Sequence, residues 1–173
     1  MNLSERYELA EGIDSLSLRP YKSQSGLSTW FLAGIVISGL ILPLFRNRVG
    51  EAAFFGLLAL VAYGIFHSLY DILIRARICF TFDSRSNVVY REVPYIGQRE
   101  ILRLDDVVIF TSAETASWRY AIGAKKSHFV KSYGISEYFS AGKTSKTWQQ
   151  QYEDEILVKI YQLIDKAKGN RSK

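Results

Sequence analysis

Residues 27–45 and 52–70 each run for nineteen positions without an Asp, Glu, Lys or Arg. A helix rises about 1.5 Å per residue, so either run covers most of a hydrocarbon core about 30 Å thick. A surface helix of a soluble domain carries a polar stripe, and neither run has one. In lipid the backbone must satisfy its own polar groups, which leaves the helix as the conformation for both. The sequence therefore predicts a transmembrane hairpin with spans over 27–45 and 52–74. Trp30, Phe31 and Tyr70 are placed as interfacial anchors, and Arg46, Arg48, Arg75 and Arg77 close the spans. The connection 46–51 is short enough to force a tight hairpin, which puts both chain ends on one side. Residues 1–26 carry Glu5, Glu8, Glu11 and Asp14, unlike the short basic leader of a cleaved signal peptide.

Basic residues near the spans set the expected orientation. Arg19, Lys22, Arg75, Arg77, Arg85 and Arg91 lie on the side of the termini, against Arg46 and Arg48 in the connection. That asymmetry favours both termini in the cytoplasm of a multi-pass inner-membrane protein, with residues 1–26 as a cytoplasmic segment. The chain's net charge is +5, and the excess sits after residue 78, with fifteen basic and eleven acidic side chains. A mild excess of this kind suits an anionic lipid surface or an acidic protein. It falls short of a nucleic-acid footprint, and no nucleic-acid-binding motif accompanies it. The single cysteine, Cys79, can form neither an internal disulfide nor a zinc cluster.

From residue 78 the periodicity changes to two. Alternation predicts strands over 78–82, 88–93, 98–104, 107–111, 117–122, 127–132 and 134–139, separated by turn clusters such as 83–87 and Pro94-Tyr95-Ile96-Gly97. A helix over 147–168 follows. Thr147 and Gln150 have the spacing of a capping box, and Trp148, Tyr152, Ile156, Ile160 and Ile164 recur every four residues. The expected fold is a membrane α-hairpin followed by a mainly β domain over 78–168. In that domain an antiparallel sandwich or barrel is capped by a C-terminal helix.

Several short strands closed by one amphipathic helix resemble a pleckstrin-homology (PH-like) domain. The run 80–91, Phe-Thr-Phe-Asp-Ser-Arg-Ser-Asn-Val-Val-Tyr-Arg, is similar to the first hairpin of bacterial membrane-anchored PH-like proteins. Gly97-Gln98-Arg99-Glu100-Ile101 and Leu104-Asp105-Asp106-Val107 resemble their next segment. The YcxB-like family has the same order, a two-span hairpin followed directly by such a domain. The resemblance implies a cytoplasmic domain used for binding or assembly and carries no catalytic residues.

The chemistry-bearing residues are few. No nucleophile elbow, Walker loop, zincin motif or paired-cysteine motif occurs, so no enzyme, metal or cofactor is expected. His67 and Asp71, four apart near the end of the second span, are expected as an interfacial polar pair, with a proton relay the less favoured reading. Lys125 and Lys126 at a hairpin tip, Lys131 on the following strand, and Lys143 and Lys146 before the final helix are the candidate lipid- or partner-binding residues. Ordinary solvated charge is the plainer account of them. Gly34, Ser38, Gly39, Gly56, Ala59 and Gly64 would let the two helices pack closely, or offer a face to a second copy or another membrane protein. The leading function is a non-catalytic protein- or lipid-binding module anchored in a bilayer. The alternatives are an immunity or inhibitor protein against a membrane-acting toxin and an accessory subunit of a membrane complex.

Overall fold

The computed structural model describes residues 2–124 and 131–171. A short helix, α1 (Leu3–Tyr7), is followed by strands β1 (Ala10–Glu11) and β2 (Ser15–Leu18). Two long helices come next, α2 (Gln24–Ile41) and α3 (Glu51–Leu73). The remaining strands are β3 (Cys79–Asp83), β4 (Val88–Val93), β5 (Gly97–Arg103), β6 (Val107–Glu114), β7 (Ser117–Ala124) and β8 (Tyr133–Gly134). Helix α4 (Lys143–Tyr152) passes through one π-helical turn, Glu153–Leu157, into α5 (Val158–Arg171). The two long apolar helices near the N-terminus, the antiparallel sheets and the C-terminal helix agree with the coarse architecture expected from sequence.

With their flanking turns the long helices span Gln24–Phe45, 22 residues, and Glu51–Arg77, 27 residues, so both are long and apolar enough to cross a membrane. No residue of α2 is buried, and in α3 only Gly64 and Ser68 are. A core helix of a soluble protein would have most of its surface covered. Small residues bring the two helices together at two points. A side chain at Gly39 would stand 2.9 Å from Val61, and one at Gly64 would collide with Ile35. Gly34 and Gly56 open onto empty space, so hairpin packing uses only part of the small-residue set.

The first sheet has five strands in the order β1-β2-β3-β4-β5, all antiparallel neighbours. Residues before the first long helix are therefore part of the β domain and not a separate tail. Strand β2 lies against β3 with Leu18 opposite Phe80 and Leu16 opposite Phe82, and all four side chains are buried. The Ser-Leu-Ser-Leu and Cys-Phe-Thr-Phe-Asp alternations face the same core, and Ser17 and Thr81 hydroxyls meet on the other side at 2.8 Å. A tight turn at Leu104–Asp106 leads into the second sheet, β6-β7-β8. Its last strand is shorter than the expected 134–139, and Phe139 adds an isolated bridge to Trp118. The expected strand over 127–132 falls largely outside the described residues.

The C-terminal helix begins at Lys143, four residues before the expected start at 147. Gly142, extended at ψ 148°, is its N-cap, and the Thr147 hydroxyl donates back to the Lys143 carbonyl at 3.2 Å instead of forming a capping box. Nothing in Lys143-Thr144-Ser145-Lys146 breaks a helix, so the turn that precedes the apolar stripe forms as well. Tyr152, Ile156, Ile160 and Ile164 are all buried against the sheets. At 3.6 residues per turn, a strict spacing of four drifts by about 40° per step. The wider π turn at Glu153–Leu157 absorbs part of that drift and keeps the stripe on the core. Leu3 and Tyr7 of α1 complete the same core.

Leu18→Ala should lower stability by about 2–5 kcal/mol, the cost of a cavity at a buried leucine. Ile13→Ala, at a position 96% exposed, should change it by less than about 0.5 kcal/mol. Urea unfolding in detergent micelles, followed by tryptophan fluorescence, reads both.

Candidate functional site

Both long helices leave the β domain at one end of its first sheet. Strand β2 finishes at Leu18 shortly before α2, and β3 starts at Cys79 shortly after α3. Polar contacts fix this junction. The Tyr21 hydroxyl donates to the Gly134 carbonyl at 3.1 Å, and the Arg75 guanidinium lies 5.1 Å from the Tyr21 ring centre. Gly134 is needed there, because a side chain would stand 2.9 Å from the Tyr21 hydroxyl and from Arg119. Glu137, only 8% exposed, accepts from Arg6 at 2.7 Å and from Ser23 at 2.9 Å, just before α2. A carboxylate this buried is tolerable because it is paired and hydrogen-bonded. Burial and the Glu137 charge push the Tyr7 phenol well above its ordinary range.

Arg6 also lies 4.4 Å over the Trp148 ring, and the two residues help line a shallow cleft of about 400 Å³ with Glu137, Ser145 and Lys143. Of the lysines singled out from sequence, Lys143 stands on this cleft. Lys131 and Lys146 are exposed and are not among its walls. Lys125 and Lys126 lie outside the described residues. Lys143 and Lys146 belong to the first turn of α4, not to a loop before it.

The His67 and Asp71 side chains do meet, with Nδ1 and Oδ2 3.6 Å apart. Arg75 brings its guanidinium to the other Asp71 oxygen, also at 3.6 Å, so the pair is a triad in which Asp71 is flanked by two bases one helical turn away on either side. Together with Leu27, Phe31 and Ser68, His67 and Asp71 line a mostly apolar groove of about 390 Å³ between the long helices. The Ser68 hydroxyl turns away from it to the Gly64 carbonyl, at 2.8 Å.

A second polar network ties the C-terminal helix to the sheet. The Tyr120 hydroxyl donates to Glu153, Gln149 Nε2 donates to both, and Trp118 Nε1 donates to Gln149 at 3.2 Å. Among the described residues no group of three His, Cys, Asp or Glu stands close enough to hold a metal ion. The arrangement brings charged and aromatic side chains together at the junction. Arg6, Ser23 and Glu137 were not singled out from sequence, because the residues they join lie more than a hundred positions apart. Compared with protein-family models, curated proteins and solved structures, the chain gives no match.

Burial and the hydrogen bond to Glu153 push the Tyr120 phenol from 10.0 up to about 12. The folded protein then holds this proton at pH values where the unfolded chain has lost it. The stabilisation is complete below pH 10 and is lost as the pH rises through 12. The urea midpoint should fall between pH 9 and pH 11.5, and Tyr120→Phe should make that fall shallower. Tyr7 and Tyr152, both also shifted upward, would maintain the rest of it.

Proposed function

We propose that the chain is an integral membrane protein whose two long helices cross the inner membrane. Its PH-like domain, on the cytoplasmic side with both termini, acts as a non-catalytic binding module for lipid or protein. The observation that carries this reading is the pairing of β2 with β3. The two strands are neighbours in one sheet, and the whole apolar hairpin is inserted between them. If the helices cross a bilayer, the sheet is tethered to it at two adjacent strand ends, and one end of the domain is held against the lipid surface. The same pairing disfavours a cleaved signal sequence, since cleavage would remove Leu3, Tyr7, Leu16 and Leu18 from the core.

Burial supports the membrane reading as well. None of the apolar window of the first helix, and only 11% of that of the second, is covered by protein. Apolar surface on that scale needs lipid or detergent around it. Two sheets followed by a long amphipathic helix packed on the core fit a PH-like plan, here with strands added ahead of the hairpin. The cleft lined by Arg6, Trp148 and Lys143 and the paired Arg91 and Arg99 of the first sheet offer charged surface, as a recruiting or headgroup-reading domain requires.

The membrane and its sidedness are tested together. The full chain should stay in the pellet through alkaline carbonate extraction. In a Cys79→Ala background, a membrane-impermeant maleimide should label Asn47→Cys in intact spheroplasts and should reach Asn170→Cys only after lysis. Release into the carbonate supernatant would sink the anchoring, and labelling of position 170 before lysis would reverse the orientation.

A further inference from the structure

The turn between β4 and β5 lies at the end of the sheet from which both long helices emerge. Cys79, the first residue of β3, is opposite Glu92, and β4 continues past it to Val93, opposite Gly97. The tip, Pro94-Tyr95-Ile96, therefore projects beyond the start of β3, on the side of the apolar helices. The turn at the other end of β3 holds Arg85 and is bonded to the β1–β2 connection, where Ser84 N donates to the Asp14 carbonyl at 2.9 Å.

The tip is built in an unusual way. Ile96 N donates to the Val93 carbonyl at 3.1 Å, with Pro94 second in the turn and Tyr95 third at φ 66°. That third position with positive φ is normally taken by glycine or asparagine. A bulky residue there is strained, and this strain is not offset by packing, because Tyr95 is 84% and Ile96 62% exposed. Two large apolar side chains thus stand clear of the domain on its helix-bearing side.

Behind the tip, two arginines face each other. Arg91 of β4 and Arg99 of β5 are direct cross-strand partners, and like charges in that position destabilise a sheet. Both line a cleft of about 270 Å³ whose walls include Tyr133 and Ile96 and one carboxylate, that of Glu100. The Arg91 guanidinium lies 5.7 Å from the Tyr133 ring centre, and its buried Nε makes no hydrogen bond among the described residues. An anion between the two guanidiniums would relieve the repulsion and supply acceptors.

We propose that this hairpin is a third point of membrane contact: Tyr95 and Ile96 enter the interfacial layer of the bilayer while Arg91 and Arg99 hold the headgroups of lipids with net negative charge. The occupant is the bilayer in which the chain is itself anchored, and the proposal rests on the membrane reading above. The two spans fix the position of the first sheet laterally. The hairpin would fix its tilt, setting which face of the domain is presented to the cytoplasm. A tyrosine beside an aliphatic residue suits the interface, where an apolar body and a polar tip are both accommodated.

Site-directed spin labelling of the full chain in lipid nanodiscs tests it. In a Cys79→Ala background, nitroxides are placed at Ile96→Cys, at Arg85→Cys on the opposite end of the sheet, and at Ile37→Cys in the first long helix. Accessibility to oxygen and to an aqueous nickel chelate gives each depth. With phosphatidylcholine and phosphatidylglycerol mixed, position 96 should read as buried roughly 5–10 Å into the headgroup and acyl boundary. Position 85 should read as aqueous and position 37 as deep in lipid. Position 96 matching position 85 overturns the hairpin contact while leaving the anchoring intact. Position 37 reading as aqueous overturns the anchoring itself. In pure phosphatidylcholine, position 96 should become shallower, and an unchanged depth overturns the part assigned to Arg91 and Arg99. The amides of Val93, Tyr95, Ile96 and Gly97 in the wild-type tip should also exchange more slowly in nanodiscs than in detergent, a readout free of any substitution.

Discussion

The backbone pairing of β2 with β3 is the constraint on which the rest of the structure depends. Leu18 and Phe80 are opposite one another in register, with the entire apolar hairpin between them in sequence. Closing a loop of that length carries an entropic cost that grows only slowly with its size. Here the loop is not flexible: two rigid helices packed at Gly39 and Gly64 bring its ends back together. Four buried side chains, Leu16, Leu18, Phe80 and Phe82, then supply the apolar burial that holds the pairing. Each half needs the other. The helical hairpin delivers β3 beside β2, and the paired strands fix where the hairpin leaves the domain.

That shared end concentrates the polar chemistry. Glu137 is held by Arg6 and Ser23, and Asp71 by His67 and Arg75. Tyr21 bridges from the entry of the first long helix to β8, beneath Arg75 at the exit of the second. Such contacts tie the helix ends to the sheet, so the domain would not swing freely on two linkers. In the proposed setting the orientation of the domain over the bilayer is a property of the fold, and its binding surfaces are presented in a fixed direction.

What the sequence revealed follows the range of the interactions. The two long helices are legible because each contains a local run of nineteen residues with no charge, and His67 and Asp71 are legible because four residues is one helical turn. Strand β4 matches its expected range of 88–93 because alternation and flanking turns mark both ends locally. Strands β1 and β2 are too short to announce themselves, and the partner of β2 lies beyond both helices. The Arg6–Glu137 pair, 131 positions apart, has no local trace at all. The four-residue spacing of Trp148 to Ile164 shows a helix, but only the packed stripe shows that a π turn keeps it in register. Pro94-Tyr95-Ile96-Gly97 reads as a turn in sequence. Its exposure and its place beside the helix exits are visible only once β3 and β4 are paired.

The most direct test of the β2–β3 closure is a cross-link between its two outward-facing hydroxyl positions. Ser17→Cys and Thr81→Cys in a Cys79→Ala background should form an intramolecular disulfide in native membranes under mild oxidation, seen as one linked peptide pair by mass spectrometry. No cross-link, or one that forms only between two chains, would contradict the closure and the two-point tether that depends on it.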